Sequence, residues 1–530
     1  MGDVHESDDW GMFSDHGPWT LRRDEIEWLP TARRLRQEAL AELPSLTRPG
    51  RIPPGVRVLT VAARLGAALG AWRWRKLRRF PDQSASRFDL SRRLRLAAEA
   101  LGPTYIKLGQ IISAGDGLFP PELVGEFKKL RDQVPSESPS TVRLTIEEDL
   151  GVPLEQLFSS FDETPLAAAS IAQVHAATLC SGEEVVVKVQ RPTVGRRVRD
   201  DLRVMAWIAP RLVGRIRVAS LANPPALVEL FAETIVEELD FRIEAANMID
   251  LAVVLRELDQ DRYVVPRPHA TLVTRRVLVM ERLSGFKFDD VAGMHGAGID
   301  TEDVIRTGMI AFMEGALVHG IFHGDLHGGN LFVMPDGRTA LLDFGIVGRL
   351  TQPHRLAFLR LMLAAATNDV MGQVTALRDL GALPPDTDLA AVISDLGLDR
   401  PPVDPTTLTG DQMVREVQRV VKALLSYGAR VPKELMLYVK NLMFLDGAIA
   451  RLAPDLDILA EIANISMTFT MRHGERLNAE LGIDPGGIAI DLSGVKAGFG
   501  VDDSVEHLTY RDLQERRALI QRRMRSRLRN

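Results

Sequence analysis

Two short segments of the sequence carry the residues that transfer of a phosphoryl group requires. The first is HGDLHGGN, from His323 to Asn330, and the second is LLDFG, which ends at Gly345. Phosphoryl transfer uses one aspartate to orient or deprotonate the attacking hydroxyl, an amide oxygen to hold Mg²⁺, and a second aspartate to bridge metal and phosphates. We predict Asp325 as the catalytic aspartate, with Asn330 and Asp343 as metal ligands. The alternative is a pair of polar turns in which these side chains bond to their own backbone.

The same stretch permits a second interpretation, as a transition-metal site. His319, His323 and His327 recur every four residues and could line one face of a helix. Three glycines oppose a continuous helix here, because glycine is a poor helix former. They are Gly324, Gly328 and Gly329. The phosphoryl-transfer interpretation is therefore favoured.

A candidate phosphate contact lies upstream, in the segment VVVKVQ. Its Lys188 falls on the second strand of a predicted β-hairpin, residues 176–190, which turns at a Ser-Gly pair. A buried ammonium is costly unless it is paired, so this lysine needs a phosphate and a carboxylate. We predict Glu244, in VEELDFRIEAAN, as the carboxylate, and at 100° per residue Glu237, Asp240 and Glu244 share one helix face. An exposed acidic helix face is the alternative interpretation of this segment.

The segment PLAAASIAQVH, residues 165–175, stands where phosphate-binding loops carry glycines. Glycine lets a loop backbone close over the phosphates, whereas Ala167, Ala168 and Ala169 add Cβ atoms that stiffen the loop. We predict that these alanines and Ser170 contact the nucleotide, that the nucleotide binds in an altered pose, and that protein phosphorylation is poor. Simple packing is the alternative role for the alanines.

Taken in order, these motifs resemble those of the UbiB-like atypical kinases, a branch of the protein-kinase-like fold associated with isoprenoid-quinone lipid biology. The resemblance covers roughly residues 101–350 and adds two segments: TYIKLGQ, with Lys107 and Gln110, and ELDFRIEAAN, with Glu238 and Asp240. It implies that the helix carrying Lys107 folds over the cleft and that this lysine pairs with Glu238 or Asp240. It also implies that protein-kinase activity is autoinhibited and that ATP hydrolysis is coupled to lipid handling.

The sequence departs from the family pattern at three places. After KLGQ, Ser113 is followed by Ala114, Gly115 and Asp116 rather than by a Ser-Thr-Arg-Pro-like run. Many members end in membrane-spanning helices, which we do not expect here. No Ala-Pro-Glu motif follows the Asp-Phe-Gly triplet, which is consistent with the loss of the platform for peptide substrates.

The predicted fold class is α+β, as a two-lobed protein-kinase-like fold with a helical N-terminal extension over the active site and a large helical C-lobe. We expect adenine to bind backbone groups of the hinge between the lobes, at Met280, Glu281 and Leu283. The predicted parts are a loosely ordered arm (1–55), a helical extension with the Lys-x-Gly-Gln motif (56–160), an N-lobe with a helical insert (161–285), a helical C-lobe with the catalytic and metal loops (286–500) and a basic amphipathic tail (501–530).

Composition limits the class of partner and the compartment. The 530 residues include 65 Lys and Arg against 71 Asp and Glu, so a net charge of −6 argues against a nucleic-acid partner. The single cysteine, Cys180, excludes an intramolecular disulfide. The acidic first residues do not have the pattern of a signal peptide, and charges interrupt every apolar stretch before about 18 residues. We expect a cytoplasmic protein that touches the inner face of a membrane only peripherally.

Two basic segments are candidates for contact with an anionic membrane. In GAALGAWRWRKLRRF, Trp72 and Trp74 stand among basic residues, which are Arg73, Arg75, Lys76, Arg78 and Arg79. The last twenty residues hold eight arginines and two acids. Such segments suit a lipid headgroup layer. For the first segment the alternative is a solvated basic helix face whose tryptophans pack in the core, and for the second it is a solvated, frayed helical tail.

The function predicted from these motifs is that of an ATP-binding atypical kinase or ATPase, supporting isoprenoid-quinone or related lipid metabolism at a membrane surface. Its expected cofactors are ATP (or ADP) and Mg²⁺, and its expected partners are an isoprenoid or quinone-like lipid and an anionic membrane surface. Two alternatives remain. One is a small-molecule phosphotransferase of the aminoglycoside or choline kinase type, and the other is a non-catalytic scaffold that senses nucleotide.

Overall fold

The computed structural model describes most of the chain. The described residues are 10–15, 17–77, 80, 82–113, 120–130, 136–212, 224–399, 423–424, 426–430, 432–482, 496, 501–502 and 504–528. Arg78 and Arg79 of the first basic segment lie outside them, as does the departure from the family pattern at residues 114–116.

The chain divides into two compact units, each built from several stretches of sequence. The first unit comprises residues 1–256, 264–284 and 340–346, and the second comprises residues 257–263, 285–339 and 347–530. The predicted division into five parts stays a prediction.

Helices make up most of the first unit. They are α1 (Leu29–Thr47), α2 (Arg57–Leu77), α3 (Gln83–Leu101), α4 (Pro103–Ser113), α5 (Pro121–Phe127), α6 (Pro139–Leu150), α7 (Leu154–Leu157), α8 (Val194–Leu212), α9 (Pro224–Ile235) and α10 (Phe241–Glu257). Apolar side chains of α1, α2, α8 and α9 form a shared core that includes Leu46, Val61, Leu202 and Phe231. The helix α1 lies inside residues 1–55, the arm predicted to be loosely ordered. Burial of Leu46 in this core explains why the segment is ordered.

The sheet of the first unit is antiparallel. The strands in this part of the chain are β1 (Phe158–Phe161), β2 (Ala167–Ala168), β3 (Ala172–Leu179), β4 (Glu184–Gln190), β5 (Tyr263–Val264), β6 (Pro268–Val273) and β7 (Val277–Glu281). The sheet order is β1-β3-β4-β7-β6, and β2 pairs with β3. The predicted hairpin is confirmed as β3 and β4, and Gly182 in its turn has a φ of 107°, which favours glycine.

Alternation along β4 determines which way Lys188 points. Val185, Val187 and Val189 are buried in the core beneath the sheet, which includes Ile146 of α6. Successive side chains of a strand point to opposite faces, so Lys188 lies on the other face of the sheet. That face carries the candidate site.

The second unit is largely helical. Its helices are α11 (Val291–Gly296), α12 (Thr301–Glu314), α13 (Gln352–Ala366), α14 (Val370–Asp379), α15 (Leu389–Leu396), α16 (Lys433–Leu452), α17 (Ile458–Leu481) and α18 (Tyr510–Leu528). The remaining strands are β8 (Phe286–Lys287), β9 (Ile321–His323), β10 (Leu331–Val333), β11 (Thr339–Leu341) and β12 (Val347–Arg349). Within this unit β10 pairs with β8 and β12 pairs with β9. The predicted Pro-Asp-Gly turn is present between β10 and β11, where the Met334 amide donates to the Arg338 carbonyl at 2.8 Å.

This mixture of helices and antiparallel sheets confirms the α+β class. Among the described residues, no helix combines the length and the hydropathy needed to cross a bilayer.

Candidate active site

Lys188 lies at the centre of a cluster of charged groups in the first unit. Its Nζ atom is 2.6 Å from Oε1 of Glu244 on α10 and 3.4 Å from Oδ2 of Asp343. The predicted pairing of Lys188 with Glu244 is therefore present. The aspartate of the Asp-Phe-Gly triplet joins the same cluster, as a site for a phosphate and a metal would require.

Burial and neighbouring charges change the pKa values of both Lys188 and Glu244. Burial alone would lower the pKa of Lys188, but Asp343 and Glu244 together outweigh it and raise that pKa above its ordinary value. Burial also raises the pKa of Glu244 to about 7; Lys188 opposes this rise and Asp343 adds to it. The carboxyl groups of Glu244 and Asp343 thus both approach one ammonium, an arrangement that favours a bound cation.

Asp343 is placed so that it can receive a metal ion. Its Oδ1 atom accepts a hydrogen bond from the Gly345 amide at 2.9 Å, and its side chain is 48% exposed. Oxygen ligands of this kind suit Mg²⁺, which binds one or two protein carboxylates together with substrate phosphates. The residues of the triplet therefore fit the predicted metal.

A hydrogen-bonded chain connects α1 to the triplet. Arg36 donates to Oδ1 of Asn247 at 2.6 Å, and Nδ2 of Asn247 donates to the Phe344 carbonyl at 2.8 Å. Sequence reasoning missed both Arg36 and Asn247. One signal was available: Asn247 is a polar residue three positions after Glu244, among the buried apolar residues of α10.

The acidic segment before α10 is not one helix, so the shared face predicted for Glu237, Asp240 and Glu244 is wrong. Glu237–Leu239 form a single 3₁₀ turn, and Asp240 is extended. Its carboxylate accepts from the Arg242 amide at 3.1 Å and pairs with the Arg242 guanidinium at 2.7 Å. Asp240 thus caps the start of α10, because its side chain accepts a hydrogen bond from a backbone amide in the first turn of that helix.

The helix α4 carries Lys107 to the same cluster. The Nζ atom of Lys107 is 3.0 Å from Oε1 of Glu238, and both side chains are largely buried. Of the two predicted partners the structure selects Glu238. A Cβ added at Gly345 would lie 3.4 Å from Cγ of Glu238, so this ion pair lies beside the Asp-Phe-Gly triplet.

The glycine of the Lys-x-Gly-Gln motif has a packing role. A Cβ at Gly109 would clash with Cδ1 of Leu130 and would lie 3.3 Å from Cδ2 of Phe127. Only glycine permits this close approach of α4 to residues 127–130. Gln110 follows on the same helix, and its carbonyl accepts from the Ser113 hydroxyl at 2.7 Å.

The alanine-rich loop forms a closed hairpin. Ala167 pairs with Val174, and Ala168 pairs with Gln173. The amide of Ala169 donates to the Ala172 carbonyl at 2.8 Å. This amide is therefore engaged within the loop, whereas a glycine-rich loop points its amides at phosphates. Ser170, at the tip, is buried.

The predicted hinge residues end β7 and follow it. Met280 and Glu281 are buried, and Leu283 is partly exposed. The Glu281 carboxylate accepts from the Arg267 amide at 3.1 Å and from the Ser14 hydroxyl, while its own amide donates to the Arg267 carbonyl at 2.9 Å. An adenine ring would therefore have to use other backbone groups of this segment.

The predicted catalytic loop lies in the second unit, between β9 and β10. The Asp325 amide donates to Nδ1 of His323 at 3.1 Å, and Nδ2 of Asn330 donates to the Asp325 carbonyl at 3.0 Å. The side-chain nitrogen of Asn330 is thus engaged inside the loop. The side-chain oxygen, Oδ1, is the atom of Asn330 that suits a cation. This arrangement fits the predicted role of Asn330 as a metal ligand.

The three histidines of the competing interpretation have separate partners. His319 lies 3.4 Å from Glu257, and Nδ1 of His327 accepts from the Gly329 amide at 3.1 Å. Burial lowers the pKa of His319, and Glu257 opposes this effect. Across the part of the chain that the structure describes, no three His, Cys, Asp or Glu side chains are grouped to hold a metal ion.

Two residues of α16 contact the predicted catalytic loop, and sequence reasoning missed both. Lys440 forms an ion pair with Oδ1 of Asp325. Asn441 is fully buried; its Oδ1 accepts from the Leu326 amide at 3.0 Å, and its Nδ2 donates to the His323 carbonyl. The available signal was the polar pair Lys-Asn inside the apolar run MLYVKNLMFL. Burying polar side chains costs free energy unless they have partners, so such a pair in a core helix indicates a role beyond packing.

Comparisons with known proteins identify the family of this chain. The model of the ABC1 atypical kinase-like domain matches residues 129–376. An uncharacterized protein of Mycobacterium tuberculosis is 36% identical over 417 residues, which are 78% of this chain and 84% of that protein. The probable protein kinase UbiB of Aeromonas salmonicida is 35% identical over 378 residues, 70% of this chain and 69% of the relative.

Similarity extends to plants and to a solved structure. An uncharacterized aarF domain-containing chloroplastic protein kinase of Arabidopsis thaliana is 33% identical over 401 residues, covering 69% of this chain and 73% of the relative. The complex of Rv3197 with erythromycin from Mycobacterium tuberculosis is 23% identical and has a TM-score of 0.38, covering 65% of this chain and 91% of that one. The assignment of this chain to a family therefore rests on the sequence comparisons.

Proposed function

Because this chain belongs to the ABC1 atypical kinase-like family, which includes the UbiB proteins, we propose that it is an ATP-dependent phosphoryl-transfer enzyme. In this proposal Lys188 contacts the α- and β-phosphates, and Asn330 and Asp343 hold Mg²⁺. Asp325 positions the attacking water or hydroxyl. Bound Mg²⁺ would neutralise charge that develops on the transferring phosphoryl group.

One observation carries the proposal. Asp343 and Glu244 both approach the Nζ atom of Lys188, at 3.4 and 2.6 Å. A lysine held between a helical glutamate and a metal-binding aspartate is the arrangement that protein-kinase-like enzymes need for catalysis. A purely structural lysine would need only one of these two partners.

The test is steady-state ATP hydrolysis by the full chain with and without Mg²⁺. We expect Asp343→Asn to lower turnover at least about 100-fold, since the carboxylate oxygen that holds the metal is lost. Asp336→Asn is the matched control, because Asp336 precedes Asp343 by seven residues in the sequence, on the β10–β11 turn, and pairs with Arg338 of the same turn. Equal turnover in Asp343→Asn and wild type would contradict the proposal and point to a nucleotide-sensing scaffold or a contaminating ATPase.

We further propose that the enzyme works at an anionic membrane surface, which it touches through α2. The helix buries Val58, Val61 and Ala68. On its exposed side, Leu59, Trp74 and Leu77 are 69%, 58% and 78% exposed. Exposed apolar side chains beside a basic helix end match the composition of a surface-bound amphipathic helix.

The two tryptophans of α2 have different roles. Trp72 donates to the Ser86 carbonyl at 3.0 Å and is covered by Lys76, so its ring is engaged within the protein. Trp74 is exposed instead. The membrane interpretation therefore rests on Trp74 and its neighbours rather than on both rings.

The C-terminal tail is less suited to the membrane role, because its first turns are engaged within the second unit. Leu513 is buried. Arg517 pairs with Asp446 of α16 at 2.8 Å, and the Tyr510 hydroxyl donates to the Asp446 carbonyl at 2.6 Å. We therefore assign the proposed membrane contact to α2.

Binding to vesicles tests this contact. We expect the chain to sediment with vesicles that contain anionic lipid, and expect binding to weaken as salt rises. Trp74→Ala with Leu77→Ala should reduce binding about tenfold or more, since two exposed apolar side chains are removed. Leu144→Ala is the control, because Leu144 is 57% exposed on a different helix, α6. Equal binding to neutral vesicles, or no loss in the double variant, would contradict the assignment.

The proposed lipid partner is an isoprenoid or quinone-like molecule, and its support is the similarity to UbiB proteins. Lipid extraction from the purified chain followed by mass spectrometry tests it. A bound polyprenyl species is the expected result. Recovery of phospholipids alone, or transfer of labelled γ-phosphate to a soluble metabolite, would contradict it and favour the small-molecule phosphotransferase.

A further inference from the structure

We propose that Lys440 is a positioning residue for phosphoryl transfer, which acts by holding the carboxylate of Asp325. This inference rests on the proposed function, in which Asp325 positions the nucleophile. Neither the motifs nor the predicted site residues include Lys440, which lies 115 residues after Asp325 in the chain.

The first argument is the ion pair itself. The Nζ atom of Lys440 bonds to Oδ1 of Asp325, and the two side chains are 29% and 19% exposed. A pair at this depth is partly shielded from water, so it is held more firmly than a surface pair. The loop residues from Leu326 to Gly329 contain no lysine or arginine. Lys440 of α16 thus supplies to Asp325 a cation that this loop segment lacks.

The second argument is that α16 is attached to the loop on both sides of Asp325. The next residue, Asn441, bonds to the His323 carbonyl and to the Leu326 amide, and it is fully buried. These two backbone contacts determine where the backbone of Lys440 lies relative to the loop. A side chain anchored in this way loses little conformational entropy when it orients its neighbour.

Aromatic packing immobilises the same turn of α16. The ring of Tyr438 lies 4.8 Å from the ring of Phe312, 4.6 Å from that of Phe358 and 5.9 Å from that of Phe322. Aromatic pairs at these distances stabilise a packed core. Tyr438, Lys440 and Asn441 thus belong to one rigid segment of α16, and its two polar residues bond to the loop.

The chemistry explains why a cation is useful at this position. With water as the acceptor, Asp325 orients the water and takes its proton while the water oxygen bonds to the γ-phosphorus. The bond from that phosphorus to the β–γ bridging oxygen breaks, and ADP leaves with the electron pair. An ionised carboxylate repels the triphosphate, and an ammonium beside it reduces that repulsion. Binding of one carboxylate oxygen also restricts rotation of the group, so the other has a defined direction.

The test compares ATP hydrolysis by the full chain as wild type, Lys440→Met, Lys440→Arg, Asp325→Asn and the double variant. We expect Lys440→Met to lower kcat about tenfold or more, with KM for Mg·ATP changed less than about twofold. Lys440→Arg, which keeps the charge, should recover part of the loss. On the Asp325→Asn background, Lys440→Met should change kcat less than about twofold, because residues that act as a unit are not additive.

Lys433→Met is the matched control, because it removes one lysine from the start of the same helix and is expected to leave kcat unchanged. If Lys440→Met does not fold, Lys440→Gln provides a polar, uncharged replacement for the same comparison. Wild-type kcat in a folded Lys440 variant, or an undiminished loss on the Asp325→Asn background, would overturn the inference. Wild-type turnover in Asp325→Asn itself would instead contradict the proposed function.

Discussion

The ammonium of Lys107 lies 3.0 Å from the carboxylate of Glu238, and Cγ of Glu238 lies 3.4 Å from the position that a Cβ at Gly345 would occupy. The pair joins α4 to the segment just before α10 and so to the Asp-Phe-Gly triplet. A contact that must break before a substrate can reach the cleft would restrain activity, as the resemblance to UbiB-like kinases implies. We propose that this ion pair is such a restraint on protein-kinase activity.

We predict that Lys107→Met increases phosphate incorporation into protein about tenfold, because α4 is released from Glu238. The measurement is transfer of labelled γ-phosphate to the chain itself and to a general protein substrate. Lys129→Met is the control, since Lys129 pairs with Glu126 in the same region but is 57% exposed. Unchanged incorporation in a folded Lys107 variant would contradict the restraint.

A second prediction concerns the alanine-rich loop. Ala168→Gly removes a Cβ from β2, so the loop backbone is freer to approach the phosphates. We expect a fall in KM for Mg·ATP of roughly threefold to tenfold, measured by steady-state hydrolysis. Ala176→Gly in the middle of β3 tests whether glycine in the sheet has the same effect by itself. An equal change in both variants would contradict a specific role for the loop.

A third prediction concerns the protonation of Glu244, whose pKa is raised from its ordinary 4.5 to about 7 by burial. The folded chain therefore holds this proton more tightly than the unfolded chain. The stability that results is present below about pH 4.5 and is lost as the pH rises through about 7. Relative to Glu244→Gln, the wild-type free energy of unfolding should fall by roughly 3 kcal/mol over that range.

Urea unfolding of both proteins between pH 5 and pH 8, without nucleotide or metal, measures this difference. Glu155→Gln serves as a control, because Glu155 is 67% exposed on α7 and pairs with Arg143. A difference between wild type and Glu244→Gln that does not vary with pH would show that Glu244 does not titrate in this range.

A fourth prediction concerns the chain of hydrogen bonds from α1 to the triplet. Asn247→Asp keeps an acceptor for Arg36 but loses the donor to the Phe344 carbonyl, which leaves two acceptors facing each other. We expect a loss of about 1–3 kcal/mol in the free energy of unfolding and a lower kcat for ATP hydrolysis.

Arg36→Met is the comparison for Asn247→Asp, because it preserves the bond to Phe344 and removes the contact that Arg36 of α1 makes with Asn247. It should change kcat much less. Equal effects of the two substitutions on kcat would show that the contact from α1, rather than the bond to Phe344, supports the triplet.

Local patterns in the sequence determined much of the chemistry. Apolar alternation and a Ser-Gly turn predicted the β3–β4 hairpin and the placement of Lys188 on it, because a strand repeats every two residues. The cost of burying an unpaired ammonium then required a carboxylate, and Glu244 was predicted before its position was known. The same reasoning failed at Asp240, where a capping side chain interrupts the helix, because periodicity alone does not locate a helix start.

The tertiary structure alone decided which distant side chains complete the site. Lys440 and Asn441 are more than 100 residues away from the loop they contact, and Arg36 is 211 residues away from Asn247. No local period relates such residues, since their meeting depends on how helices pack. The choice of Glu238 over Asp240 for Lys107 was decided in the same way, because the guanidinium of Arg242 already engages Asp240. The sequence by itself thus determined the chemical groups of the site, and packing determined which of them meet.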